Sequence, residues 1–365
     1  MKVESFVKIL KEAGFFPFMG VPCSVFKFLL NYIDNSKEVE NYLCSSEGEA
    51  MGLSAGFAIS GKMPVVYMQN DGYGNAVNPL SSLQLLYKLP ALLLISWRAE
   101  PGKKDAPQHY IMGKTILRLL DVFEIPYIIL KDDIANLENS VMKAKEYCKH
   151  NSAPIAFIIK KGYFEKYEKI ISKSVNTLNK RIEYIKLLAN NVSDNDILLG
   201  ATGFCGRELY QSIKHKGKFY MMGSMGCLSA IGLGIAKENP NRNIFVLDGD
   251  GALLMKMGTL STIGYYQPKN LIHICFDNNK YESTGGQPTT SITTGFSTIA
   301  KACGYKSIDF VTEIEDFQKI LENIKQYEKP HFIHIKVKTG TIECLERPSD
   351  SPEDMRENLM EFLSK

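Results

Sequence analysis

Gly249-Asp250-Gly251 follows the apolar run "NIFVLD", and Asp277-Asn278-Asn279 follows a second one, "LIHICF". Glycines on both sides of Asp250 let a ligand approach the backbone, and free N–H groups at the start of a following helix favour an anion. Asp250 and Asn278, with the backbone carbonyl of Lys280, form a set of hard oxygen donors suited to Mg²⁺ that leaves room for phosphate oxygens. Read singly, each tripeptide is ordinary turn chemistry. Together, each behind an apolar run, Gly249, Asp250, Gly251, Ala252 and Asn278 read as one anion and metal site.

Such residues work only when rigid elements hold them, and the surrounding sequence alternates between two periods. Val3, Phe6, Val7, Ile9 and Leu10 share one helical face, with Gly14 as a C-cap. The runs "FFPFMGV", "ENYLCS", "PVVYMQ", "ALLLIS", "PYIIL" and "IAFIIK" then read as strands. Helices are expected from Ser24, up to Gly61, from about Pro79, from 112 and from 134. This alternation predicts a parallel sheet covered on both faces. Residues 161–180 are charged and poor in strand signal, which suits a linker. After it the grammar restarts with strands at "DILLG", "KFYMM", "NIFVLD", "LIHICF" and "HFIHIKV". Helices are expected at 181–191, from 205, 227 and 252, near 297 and from 313. The fold class expected is α/β, two doubly wound parallel-sheet domains at 1–170 and 180–365, the second ending in a helical tail. In open parallel sheets ligands bind beyond the carboxyl ends of the strands, where both oxygen clusters fall.

The composition favours a small-molecule partner. A chain of 365 residues with 45% hydrophobic content can bury large cores. A net charge of +3 without a long basic block gives no support to a nucleic-acid or membrane-surface partner. The eight cysteines are scattered, with no CxxC pair, and read as reduced thiols. "MKVESFVKILKEAG" lacks the continuous apolar core of a signal peptide, and no run is long enough for a membrane span. A soluble, cytoplasmic protein is expected.

The paired motif resembles the diphosphate and metal motif of thiamine diphosphate enzymes, with Asp277-Asn278-Asn279-Lys280-Tyr281 matching the second half. The resemblance implies thiamine diphosphate and Mg²⁺ as cofactors, with Asp250, Asn278 and the Lys280 carbonyl as metal ligands. Asp277 stands where the family has its first Asn, and Asn279 leaves open a register one residue later. "CSSEGEAMGLSAGFAISG" is similar to the family's glutamate helix, which implies Glu47 as the acid serving the aminopyrimidine ring; as a helix N-terminus alone it explains Glu47 and Glu49 equally. "MMGSMGCLSAIGLG" resembles the Gly-x-Met-Gly element, implying Met225 as the wedge under the cofactor rings and the Gly223 carbonyl as their acceptor. Thr202, Gly203 and Asn75 are further candidates for cofactor contacts. On this resemblance the domain at 1–170 binds the pyrimidine and that at 180–365 the diphosphate and metal.

The chain has no room for the central third domain of the larger family members. It resembles instead the compact decarboxylases of three-carbon 2-oxo acids with an anionic head, phosphonopyruvate and sulfopyruvate. "MQNDGYGNAVNPLSSL", "SWRAEPGKKDAPQHYIMG", "STGGQPT" and "ERPSDSPEDMRENLMEFL" carry that likeness over nearly the whole chain, the last favouring the phosphonopyruvate branch. Asp71 and Tyr73 stand where that branch commonly has Ser and Leu, and Cys227 where phosphonopyruvate enzymes often have His. Arg98 is expected to make a bidentate contact to the head group. His109 is expected to relay a proton or hold the substrate carboxylate. The resemblance also implies a homo-oligomer, a dimer or larger, with active sites at subunit interfaces. A sulfopyruvate decarboxylase, a thiamine-dependent carboligase and a thiamine-binding protein without turnover remain the alternatives.

Overall fold

The structure, a computed structural model, describes residues 1–168 and 177–365. The centre of the expected linker, 169–176, lies outside the described residues. The chain divides into two compact units, Met1–Ser172 with Thr284–Pro288, and Lys173–Ser283 with Thr289–Lys365. In the first, strands β1 (Phe15–Gly20), β2 (Asn41–Leu43), β3 (Met63–Gln69), β4 (Leu92–Trp97), β5 (Tyr127–Ile129) and β6 (Ile155–Lys160) form a sheet in the order β2-β1-β3-β4-β6-β5. In the second, β7 (Ile197–Gly200), β8 (Lys218–Tyr220), β9 (Ile244–Gly249), β10 (Leu271–Asp277), β13 (Ser307–Val311) and β14 (His331–Lys336) form a sheet in the order β13-β14-β10-β9-β7-β8. The two-residue strands β11 (Lys280–Tyr281) and β12 (Gln287–Pro288) lie outside both sheets. All neighbours in the two sheets are parallel.

The continuous apolar runs arise because each sheet is covered on both faces. Successive side chains alternate faces, so Val65, Tyr67, Leu92, Leu94, Phe157 and Ile159 enter one core of the first unit. Val66, Met68, Leu93, Ile95, Ala156 and Ile158 enter the other. The second unit repeats the arrangement, with Phe245, Leu247, Ile272 and Ile274 on one side and Ile244, Val246, Leu271 and Cys275 on the other. Strands buried on both faces have no polar alternation to show, which is why they read as unbroken apolar stretches.

Two local expectations need correction. The helix expected from Pro79 begins at Tyr73 and ends at Pro79, and a π-helical turn, Leu80–Leu85, follows. Gly74, Asn75 and Asn78 are weak helix formers and hide its start, while a proline reads as a first-turn residue. The sequence reading also has no strand between the helices near 297 and 313. β13 occupies that place as an edge strand, and four of its five residues keep some exposure, so it lacks the apolar run of the central strands. Among the described residues no helix is long and apolar enough to cross a membrane. All eight cysteines are free thiols.

Candidate functional site

In the first unit the site is built at the carboxyl ends of β2, β3 and β4. Glu47 opens the helix Glu47–Ile59 and is only 5% exposed. Ser46 caps this helix by accepting from the Glu49 N–H at 3.3 Å, and Glu49 turns back to accept from the Ser45 N–H at 2.8 Å. The two first-turn acids therefore separate: Glu49 is exposed and held at the cap, whereas Glu47 is buried. Asn75 Nδ2 donates to Glu47 Oε2 at 2.8 Å. Gly72 packs against the same carboxyl, and a Cβ there would lie 2.2 Å from Oε1.

Gly72 belongs to the 3₁₀ turn Asn70–Gly72, whose three residues each meet an expected site residue. The Asn70 side chain donates to the Arg98 carbonyl at 3.0 Å and accepts from the Arg98 N–H at 3.1 Å. Asp71 Oδ2 lies 2.8 Å from His109 Nδ1. Glu47, Asn75, Arg98 and His109 are thus gathered around one turn. The open fork expected of Arg98 is not present, because Nε and Nη2 donate to Asp105 at 2.7 and 2.5 Å and Nη1 donates to Ser24 at 3.2 Å. Asp105 also accepts from the Ala99 and Ala106 N–H groups. Burial opposes ionisation of Asp105, but these donors, Arg98 foremost, outweigh it and hold its carboxyl well below the usual range. Lys103 and Lys104 are exposed.

In the second unit β10 and β9 are neighbours, and Phe276 stands opposite Gly249, so both oxygen clusters leave adjacent strand ends. Thr202 Oγ1 donates to the Met222 carbonyl at 2.7 Å and ties the loop after β7 to that after β8. Gly203 takes φ +92° before the helix Phe204–Ser212. Gly249 has no atom within 4 Å of where a Cβ would stand. A Cβ on Gly251 would lie 2.4 Å from the Tyr281 ring and 3.2 Å from the Met225 methyl, so Met225 sits beside the Gly-Asp-Gly turn. Gly223 is partly exposed, and Ala252 is buried in the helix Asp250–Met255.

Asp250 is 5% exposed and accepts from Thr289 Oγ1 at 2.7 Å and Ser291 Oγ at 3.1 Å. Burial, with the negative charge of Asp277 adding to it, pushes its carboxyl up to about 7 against the pull of those hydroxyls. Asp277, 1% exposed, accepts from His334 Nε2 at 2.9 Å, Lys336 Nζ at 2.8 Å and Ser291 Oγ at 2.9 Å. Burial opposes its ionisation too, but His334 and Lys336 on the adjacent β14 hold it well below the usual range. Asn278 Nδ2 donates to Glu282 at 3.1 Å, which orients the amide, and its Oδ1 accepts from the Lys280 N–H at 2.9 Å. The Lys280 carbonyl accepts from the Glu282 N–H at 2.9 Å. Asn279 uses both ends of its amide within the protein, donating to Asp277 and Ser291 and accepting from Lys336.

The residues present fit a magnesium ion. The donor set contains oxygen alone, and among the described residues no Lys, Arg or His pairs with Asp250. A buried carboxyl forced toward neutrality is a group that an external cation would return to its ionised form. Among the described residues no group of three His, Cys, Asp or Glu side chains forms a metal cluster. A cavity of about 720 Å³ lies in the same unit, lined by Tyr210, Lys218, Arg242 and Phe362, and no expected site residue borders it. Asn195, Lys218 and Arg242 place it at the amino ends of β7, β8 and β9, away from the oxygen clusters.

Asp105, Thr289, Ser291, Glu282, His334 and Lys336 join the site in the structure without standing out along the chain. His334 and Lys336 stand two apart on β14 and so share a face, a signal readable only once β14 is known to flank β10. The hydroxyl cluster "QPTTS" was visible, but nothing local tied it to Asp250.

Residues 202–335 match the family described as thiamine pyrophosphate enzyme, C-terminal TPP binding domain. Phosphonopyruvate decarboxylase of Streptomyces viridochromogenes is 30% identical over 360 residues, covering 94% of this chain and 90% of that protein. Sulfopyruvate decarboxylase of Methanosarcina acetivorans is 29% identical over 386 residues, covering 99% and 97%. The sulfopyruvate decarboxylase beta subunit of Methanocaldococcus jannaschii is 44% identical over 151 residues, covering 41% of this chain and 79% of that subunit.

Proposed function

The chain belongs to the thiamine diphosphate-dependent decarboxylases, in the branch of the phosphonopyruvate and sulfopyruvate enzymes, and from that membership we propose that it converts 3-phosphonopyruvate to phosphonoacetaldehyde and CO₂ with Mg²⁺. The protein is a carboxy-lyase. The likeness that runs along the whole chain is shared by both enzymes, and the feature that supports phosphonopyruvate over sulfopyruvate is the tail "ERPSDSPEDMRENLMEFL", which resembles the phosphonopyruvate branch. In this proposal residues 1–170 serve the pyrimidine and residues 180–365 the diphosphate and metal.

Thiamine diphosphate, when bound, supplies the nucleophilic carbon and the electron sink that allow a 2-oxo acid to lose CO₂. The chain's own residues do the rest. Asp250, the Asn278 amide oxygen and the Lys280 carbonyl would hold Mg²⁺; Asn278 is preferred to Asn279 because the Asn279 amide oxygen already faces the Lys336 ammonium, whereas that of Asn278 accepts from a neutral backbone N–H. Gly249, Gly251 and Ala252, with Thr202 and Gly203, hold the diphosphate, and Met225 and Gly223 orient the rings. Glu47 moves the proton at the aminopyrimidine, its carboxyl fixed by Asn75 and Gly72. His109 handles the proton that replaces the departing carboxyl group. Arg98 offers the head group only the N–H bonds that Asp105 and Ser24 leave.

The test supplies purified protein with thiamine diphosphate and Mg²⁺ and compares CO₂ release from phosphonopyruvate, sulfopyruvate and pyruvate. The highest kcat/KM is expected for phosphonopyruvate, with free aldehyde as product. A higher value for sulfopyruvate moves the assignment to the second reading, which the long likeness to that enzyme favours. Carboligated product in place of aldehyde marks a transferase. Homo-oligomers and a cytoplasmic, reducing location are part of the proposal; an active monomer in sedimentation under assay conditions counts against the first.

A further inference from the structure

His109 has a partner that no part of the proposed reaction assigns. Its ring is 8% exposed and closes the 3₁₀ turn Pro107–His109, and its Nδ1 lies 2.8 Å from Asp71 Oδ2. A carboxylate only accepts, so Nδ1 carries the proton. Nε2 then holds the in-plane lone pair, and among the described residues it has no hydrogen-bond partner. Asp71 is itself fixed from both sides, since Asn70 is bonded twice to the Arg98 backbone and Gly72 packs against the Glu47 carboxyl. The turn that places the expected acid therefore also places the carboxylate that orients the imidazole.

We propose that Asp71 is the positioning residue for His109: it locks the Nδ1–H tautomer and ring orientation, so that Nε2 is the atom through which His109 exchanges a proton with substrate or water. Replacing a carboxyl group by hydrogen consumes one proton from solvent. With Nδ1–H committed to Asp71, that proton arrives on the Nε2 lone pair and leaves from the same atom, and the Asp71 carboxylate offsets the positive charge that the ring carries in between. The alternative tautomer would present an N–H at Nε2 that accepts no proton. This inference rests on His109 acting in the decarboxylation proposed above, whereas the tautomer itself does not.

The experiment has two arms. In the first, protein labelled with ¹⁵N at its histidines, without cofactor or substrate, is examined by long-range ¹H–¹⁵N correlation at mildly alkaline pH, with His109→Gln identifying the signal. Wild-type His109 is expected to carry its proton on Nδ1, and Asp71→Asn, which can donate as well as accept, to lose that preference. In the second, Asp71→Asn and Asp71→Ser are assayed with the best substrate of the wild-type protein. A fall in kcat of about tenfold to a hundredfold is expected, the range of a partner that orients a functional histidine, with less than about a threefold change in KM for substrate and in retention of thiamine diphosphate. Asp71→Glu should recover part of the rate. A wild-type proton on Nε2 overturns the proposal whatever the activity. So does Asp71→Asn with the wild-type tautomer, whether its kcat holds or falls. If no tested 2-oxo acid turns over, the assigned reaction fails, and the tautomer arm still decides the role of Asp71.

Discussion

Asp250 and Asp277 are both buried, Asp277 ends β10 while Asp250 opens the helix directly after the neighbouring β9, and both lie within hydrogen-bond distance of the one Ser291 hydroxyl, at 3.1 and 2.9 Å. Their environments nonetheless push them in opposite directions. Asp277 has His334 and Lys336 beside it and stays ionised, while Asp250 has hydroxyls and a backbone N–H and is driven toward neutrality. Burial penalises both charges, so the difference lies in whether the fold provides a countercharge. One carboxylate is neutralised from within and serves the structure. The other is left short of positive charge in a way that suits an incoming metal ion.

The largest effect should come from removing the internally neutralised member. Asp277→Ala leaves His334 and Lys336 without their acceptor, and breaking a buried ion pair from one side costs about 3–5 kcal/mol. A marked fall in Tm or in the denaturant midpoint, with or without cofactor, is expected. An unchanged midpoint would mean that Asp277 is not the anchor of this cluster.

Asp250→Ala should do the reverse, with little loss of stability in the cofactor-free protein and loss of Mg²⁺-dependent cofactor retention by more than about a hundredfold, beyond what an outer-shell partner accounts for. Equilibrium dialysis of thiamine diphosphate with and without Mg²⁺ measures it. Asn278→Ala should weaken retention in the same assay. Asn279→Ala should act chiefly on stability, since its side chain bonds Asp277, Ser291 and Lys336 and its backbone sits at φ 58°, where alanine is strained. If Asn279→Ala is the more damaging to Mg²⁺-dependent retention, the ligand is one residue later.

The pH dependence sharpens the contrast further. A carboxyl raised on folding stabilises the apo protein fully below its unfolded value, near pH 4, and that contribution is lost as pH rises through about 7. A bound cation cancels the loss. The rise in Tm produced by Mg²⁺ with thiamine diphosphate should therefore grow between about pH 6 and pH 8, and Asp250→Asn should flatten that growth. The smallest effect belongs to the shared donor: Ser291→Ala should cost about 0.5–1.5 kcal/mol of stability, read from denaturant melts.

Much of this site was legible in the chain itself. Gly249-Asp250-Gly251 and Asp277-Asn278-Asn279 announce themselves by residue type, because glycine beside a strand end and hard oxygen donors have few other uses in that pairing. The doubly wound layout was legible for a related reason: strands buried on both faces must be apolar at every position. β13 was not, since an edge strand such as Ser307–Val311 keeps exposed residues and loses that signature. Nor was the helix that begins at Tyr73, whose glycine and asparagines carry little helical signal.

The order of residues along the chain settles which groups are available: a carboxylate between two glycines, an acid opening a small-residue helix, a histidine and an arginine on one loop. What each group faces follows from the way the chain folds. Parallel pairing of β10 with β14 puts His334 and Lys336 beside Asp277 from more than fifty residues away, and the Asn70–Gly72 turn brings Arg98, His109 and Glu47 to neighbouring positions. The fork of Arg98, read as open along the chain, is closed by Asp105. A side chain's charge and reach are local properties, but its electrostatic role depends on neighbours within a few ångströms, and sheet register and loop closure choose those neighbours.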